Sequence, residues 1–142
     1  MTLKYLLDTN ILIQTIRYKP DNLRIRFNEH AGQMALSSVV LSELVYGAEV
    51  SERVEANLRS VEGLASRMQI VDFDTAAAHH TAGIRAHLKR EGQSIGPYDA
   101  MIAGHARSRG LTVVTNNVRE FARVPGLLVE NWQEQAGTAE RV

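Results

Sequence analysis

Three acidic residues stand inside otherwise apolar segments of this chain. Asp8 follows Leu3-Lys4-Tyr5-Leu6-Leu7, Glu43 lies in Ser42-Glu43-Leu44-Val45-Tyr46-Gly47, and Asp99 in Gly96-Pro97-Tyr98-Asp99-Ala100-Met101-Ile102-Ala103. A carboxylate held against a core is costly unless it is paired or bound to a metal. Singly, Asp8 reads equally well as a turn or helix-cap residue, and Glu43 as a solvated helix residue. Together the three point to one shared site, and like charges in a small space call for a counter-ion. The chain has no cysteine, and its histidines lack the i, i+4 spacing of helical metal pairs. Oxygen ligands alone favour Mg²⁺ or Mn²⁺ over zinc. Such an ion activates water and neutralises charge on a phosphodiester, so metal-dependent phosphoester hydrolysis is the expected chemistry.

The elements that would carry these acids are legible from pattern. Residues 3 to 7 read as a buried strand, and Thr9 or Asn10 as the cap of a helix that Lys19-Pro20 stops. Asp21-Asn22 opens a short helix, Met34-Ala35-Leu36 a strand, and Ser37 or Ser38 caps the helix bearing Glu43, with Gly47 at its end or at a kink. Val54, Leu58, Val61 and Ala65 keep a helical period. Ile70-Val71 with Phe73 reads as a strand, and Asp74 as the cap of a long helix ended by Gly92. Pro97 suits the first turn of the helix holding Asp99, which Gly110 ends. Leu111 to Val114 is a strand followed by Thr115-Asn116-Asn117, then a short helix from Val118 to Phe121. Leu127-Leu128-Val129 is a last strand, with Trp132 packed nearby. Strands alternating with helices predict an α/β fold whose central, mostly parallel sheet of four to five strands carries helices on both faces. Asp8 and Thr115 then share the rim beyond the strand ends, where open α/β sheets bind ligands.

The 142 residues suit one domain. We expect it to span 1–132, with 133–142 a polar, flexible tail. The apolar fraction of 44% and charged fraction of 23% are ordinary globular values, which exclude wholesale disorder. A net charge of zero supplies no global field toward nucleic acid or membrane, so any such contact needs a local patch. No apolar run approaches the roughly 20 residues of a membrane span, and no signal peptide is evident. A cytoplasmic location is expected.

Other polar residues have plainer accounts. His79, His80 and His87 share one helix and read as surface or packing residues, and His105 lies too far along its helix from Asp99 for proton transfer. Most basic residues are solvated helix faces. Lys89 and Arg90 are the exception, because they precede the loop leading to Asp99 and so could flank the acidic pocket and hold a substrate phosphate.

In order along residues 3 to 132, Leu7-Asp8-Thr9-Asn10, Ser42-Glu43-Leu44 with Tyr46-Gly47, Gly96 to Ala103, and Val114-Thr115-Asn116-Asn117 with Glu120-Phe121 resemble the PIN-domain ribonucleases. In particular they resemble the VapC toxins of toxin–antitoxin modules. The resemblance implies a three-layer PIN fold and a Mg²⁺-dependent endoribonuclease in which Mn²⁺ substitutes. It also implies an RNA substrate, often tRNA, whose cleavage inhibits translation, together with a homodimer and a VapB-type antitoxin. By position Asp8, Glu43 and Asp99 match the catalytic, metal-holding acids, with Asn10, Thr115 and Asn117 in support. Many members carry a fourth acid near Asn117, where this chain has an amide that is either a ligand or a helix cap. That departure leaves one alternative, a PIN-fold RNA-binding module without activity. An aspartyl-phosphate phosphatase also begins with a strand ending in Asp, but it needs a second Asp where Asn10 stands.

Overall fold

A computed structural model describes residues 2–133. Five strands form one sheet: β1 (Tyr5–Leu7), β2 (Met34–Ser37), β3 (Gln69–Val71), β4 (Thr112–Val114) and β5 (Val129–Glu130). Their order is β3-β2-β1-β4-β5, and every neighbouring pair is parallel. Tyr5 lies opposite Met34 on one side and Thr112 on the other. All residues of β1 and β2 are buried. That lack of alternation is what a parallel sheet covered on both faces requires.

The described helices are α1 (Thr9–Tyr18), α2 (Asp21–Glu29), α3 (Ser38–Glu49), α4 (Val54–Ala65), α5 (Thr75–Arg90), α6 (Pro97–Arg109) and α7 (Val118–Phe121). The expected α/β architecture is therefore what the chain adopts. Several ends sit where local chemistry puts them. Ser37 caps α3, Asp74 caps α5 through a 3.0 Å bond from Ala77 N, and Pro97 opens α6. Gly110 ends α6 at φ 67°, the left-handed conformation a glycine adopts without a Cβ clash.

Three local readings shift. Gly47 lies inside α3, not at its end, because Ala48 packs in the core and prolongs the turn. The last strand is Val129–Glu130, while Leu128 is 70% exposed. Pairing of Val129 with Val113 sets that register, not the apolar run. Gln133, where a free tail is expected, is still tied to the body by Asn22 at 2.6 Å and Asn116 at 2.9 Å. The rest of that expected tail lies outside the described residues.

α5 and α6 form the tightest helix pair. A Cβ at Gly104 would lie 2.7 Å from the backbone nitrogen of Thr81, so only glycine permits this approach. The packing fixes α6, and with it the first turn that carries Asp99.

Candidate active site

β1 and β4 are neighbours whose connections leave in opposite directions, toward β2 and toward β5. Such a switch point opens a crevice beyond the strand ends. Asp8 follows β1 there, and its backbone nitrogen still bonds to Val114 O at 2.9 Å, so the sheet itself aims the carboxylate.

Asp8 is 3% exposed. Its Oδ1 accepts from Thr9 N at 2.7 Å, and its Oδ2 from the Thr115 hydroxyl at 2.8 Å. Asp8, rather than Thr9 or Asn10, is thus the cap of α1. Both readings of Asp8 hold at once, since the bond that starts the helix also orients the acid. Burial pushes its pKa up, and the bonds from Thr115 and Thr9 pull against that. The Thr115 hydroxyl also accepts from Asn117 N at 2.9 Å, which commits its proton to Asp8. Thr9 links the next acid, because its hydroxyl donates to Glu43 Oε1 at 2.9 Å.

Asp99 stands in the first turn of α6. Burial raises its pKa to about 6, with further lifts from the charges of Asp8 and Glu120, a hydrogen bond with Glu120, and the charge of Glu43. The acids expected to converge, Asp8, Glu43 and Asp99, are therefore electrostatically coupled. Among the described residues the one ion pair within 4 Å joins Arg24 to Asp21, so no salt bridge neutralises these acids.

Glu120, which belongs to the Glu120-Phe121 motif but has no role legible from it, is a fourth carboxylate. Its Oε2 accepts from Asn117 Nδ2 at 2.5 Å and its Oε1 from Gly96 N at 3.2 Å. Asn117 stands at the cap position before α7 but makes no side-chain cap bond, its amide being spent on Glu120. The amide at 117 thus stands beside an acid one helical turn on, instead of replacing it. The Asn117-x-x-Glu120 spacing was the available signal. Asn10 is exposed, and among the described residues it makes no hydrogen bond to Asp8.

These donors fit a hard divalent cation. They are all oxygens, they repel one another, and they lack a protein cation. Among the described residues no three acidic or histidine side chains are gathered into a ready cage. Mg²⁺ does not need one, because it keeps several waters and takes one or two carboxylates.

His105 takes no part. It is fully buried, its Nδ1 lies 2.9 Å from Ser37 Oγ, and its ring meets Phe73 edge-on. Ser37 Oγ also accepts from Val39 N at 3.1 Å, so His105 is tied to the cap of α3. Burial lowers its pKa. His80 accepts from Arg107 Nε at 3.0 Å, a packing role. Lys89 and Arg90 separate: Lys89 lines a concavity on α5 together with Arg85, and Arg90 is not among its walls.

Residues 5–127 match the PIN domain model. The tRNA(fMet)-specific endonuclease VapC of Shigella flexneri is 58% identical over 92% of this chain and 98% of its own. Ribonuclease VapC2 of Haemophilus influenzae is 48% identical over the same shares. Among solved structures, DNA-bound VapBC from Salmonella typhimurium superposes with a TM-score of 0.89 at 57% identity, covering 92% of this chain and 98% of that one. VapBC2 from Rickettsia felis, bound to a promoter DNA fragment, gives 0.87 at 37% identity over 93% and 99%. With the acids at the switch point of a parallel sheet, the chain belongs to the PIN-domain family, within its VapC ribonucleases.

Proposed function

We propose that the chain is a Mg²⁺-dependent endoribonuclease, the toxin of a toxin–antitoxin module, which cleaves tRNA(fMet) and so blocks translation in the cytoplasm. The observation that carries this reading is the coupled set Asp8, Glu43, Asp99 and Glu120, with Asp8 buried and the other three half-buried, and no salt-bridging cation among them. Asp8 and Asp99 would hold the ion, with Glu43 and Glu120 beside them. When bound, Mg²⁺ or Mn²⁺ supplies positive charge for the scissile phosphate and a water of lowered pKa. The chain's residues do the rest. Thr115 and Thr9 fix the Asp8 carboxylate, and Thr9 fixes Glu43 by Oε1, leaving Oε2 to accept the attacking water's proton. Specificity for tRNA(fMet) rests on the Shigella relative at 58% identity.

A VapB-type antitoxin is the proposed partner, in keeping with the VapBC complexes that share this fold. An apolar trough suits it. Ile16 lines both a cavity of about 160 Å³ that Glu43 also lines and a neighbour of about 370 Å³ rimmed by Lys19, Arg24 and Arg67. An amphipathic segment laid there would bring its end to the acids. A homodimer is also proposed, to which α3 offers exposed Tyr46 and, at its C-terminal end, Val50. Among the described residues no helix is long and apolar enough to cross a membrane.

The test is cleavage of a tRNA(fMet) transcript by the pure chain with Mg²⁺ or Mn²⁺, against EDTA. Asp8→Asn and Asp99→Asn should each lower the rate by at least about 10²-fold, the scale of losing one electrostatic stabiliser. Undiminished cleavage by both variants would sink the assignment. The inactive-module alternative rested on the missing acid at 117, and Glu120 removes that support.

A further inference from the structure

RNA is a polyanion, and this site is acidic on a chain of zero net charge. Attraction must therefore come from a local cationic surface beside the acids. One concavity of about 370 Å³, within the range of small-ligand sites, meets that need. Arg85 and Lys89 of α5 form one wall, four residues apart and so on one helix face. Ser94 and Ile95 of the following loop line it as well, together with Ala86 and Leu88, and no acidic residue does.

The loop is preformed at both ends. Gly92, at φ 68°, and Gln93 donate backbone bonds to Lys89 O at 3.1 Å and Leu88 O at 2.8 Å, which satisfies the carbonyls at the end of α5. At its far end Gly96 N is held by Glu120 of the acidic site, and Arg123 reaches Ser94 O at 3.3 Å. One short segment thus presents Ser94 and Ile95 to the concavity and Gly96 to the acids. Ile95 and Asp99 are four residues apart, a reach of at most about 14 Å.

We propose that this concavity binds one nucleotide of the RNA strand beside the cleaved bond. Its phosphate lies on Lys89, and its base lies on the guanidinium plane of Arg85 over the apolar floor. An unstacked base is commonly received in this way. Arg85, and not Arg90, is the cation that shares this concavity with Lys89. The proposal rests on the ribonuclease reading, but its test separates the two.

Binding is measured with a fluorescent tRNA(fMet) transcript across 50–200 mM salt, a range over which phosphate contacts are read out. The full chain carries Asp8→Asn so that the RNA stays intact. Arg85→Ala with Lys89→Ala should weaken binding by about tenfold or more and reduce the salt slope by roughly one per lost phosphate contact. Ala86→Leu, which fills the floor, should weaken binding with the slope unchanged. Arg53→Ala with Arg59→Ala, at the N-terminal cap and on the exposed face of α4, is the charge-matched control. In the uninhibited chain the same changes should raise KM and leave kcat within about twofold. Binding and slope equal to those of the Arg53 and Arg59 control would overturn the proposal. So would unchanged binding with a shift of oligomeric state by light scattering, which would make this face an interface between copies. Failure of the ribonuclease reading looks different: no cleavage by the parent chain, with RNA binding still dependent on Arg85 and Lys89.

Discussion

Thr115 shows how much one hydroxyl decides. It donates to Asp8 and accepts from Asn117 N, so the acid's orientation and the start of α7 share one oxygen. Thr115→Val keeps the shape but strips a donor from a buried carboxylate, which should cost about 1–3 kcal/mol in urea unfolding and most of the cleavage rate. Thr115→Ser should restore both. Asp99 carries a pH signature. Its folded pKa of about 6 stands above the ordinary 3.8, so between these values the folded chain holds a proton that the unfolded chain has released. Asp99 therefore favours the fold at low pH, and that contribution is lost as pH rises through about 6. His105 acts in the opposite sense, since its lowered pKa favours the fold above 6.5 and that support is lost on acidification. The difference between Asp99→Asn and the parent isolates the Asp99 effect. In EDTA the variant should melt higher at pH 7.5, and the gap should close toward pH 5. An equal gap at both values would remove Asp99 from the coupled cluster.

At the scale of elements, the α5–α6 contact is the one with least room. Gly104→Ala should destabilise the chain by about 1–3 kcal/mol, the usual cost of overpacking. Adding Thr81→Ala should not rescue it, because the obstructing atoms include the Thr81 backbone nitrogen, 2.7 Å from the new Cβ. Rescue in denaturant titrations would mean that only the Thr81 hydroxyl was in the way. Many element ends were legible beforehand, since Pro20, Asp74, Pro97 and Gly110 act through local geometry. The last strand was not. Leu127-Leu128-Val129 looks like a strand by composition, yet pairing with β4 selects Val129–Glu130, and a register depends on a partner some sixteen residues away.

For the whole molecule, two surfaces flank the acids and have different uses. The trough beside α1, α3 and α4 has an apolar lining that includes Glu43 and a cationic rim, whereas the α5 concavity joins Arg85 and Lys89 to the loop that leads to Asp99. Substitution in the trough should separate inhibition from catalysis. Ile16→Lys is expected to weaken capture by a VapB-type antitoxin by at least tenfold in calorimetry, while cleavage of free tRNA(fMet) continues, because Ile16 lines both trough cavities and touches none of the acids' hydrogen bonds. Unchanged antitoxin affinity would move the partner elsewhere on the surface.

Residue order alone determined the α/β class, most helix starts and stops, and the candidacy of Asp8, Glu43 and Asp99, because periodicity, caps and misplaced charges act over a few residues. It could not show that Glu120 supplies the fourth carboxylate, that Thr9 joins Glu43, or that Thr115 orients Asp8. The last of these bonds spans 107 residues and exists because β1 and β4 are neighbours in the sheet. Strand order is a property of the packed core. Only folding brought the fourth acid and the cationic concavity to the same end of the molecule as the other three.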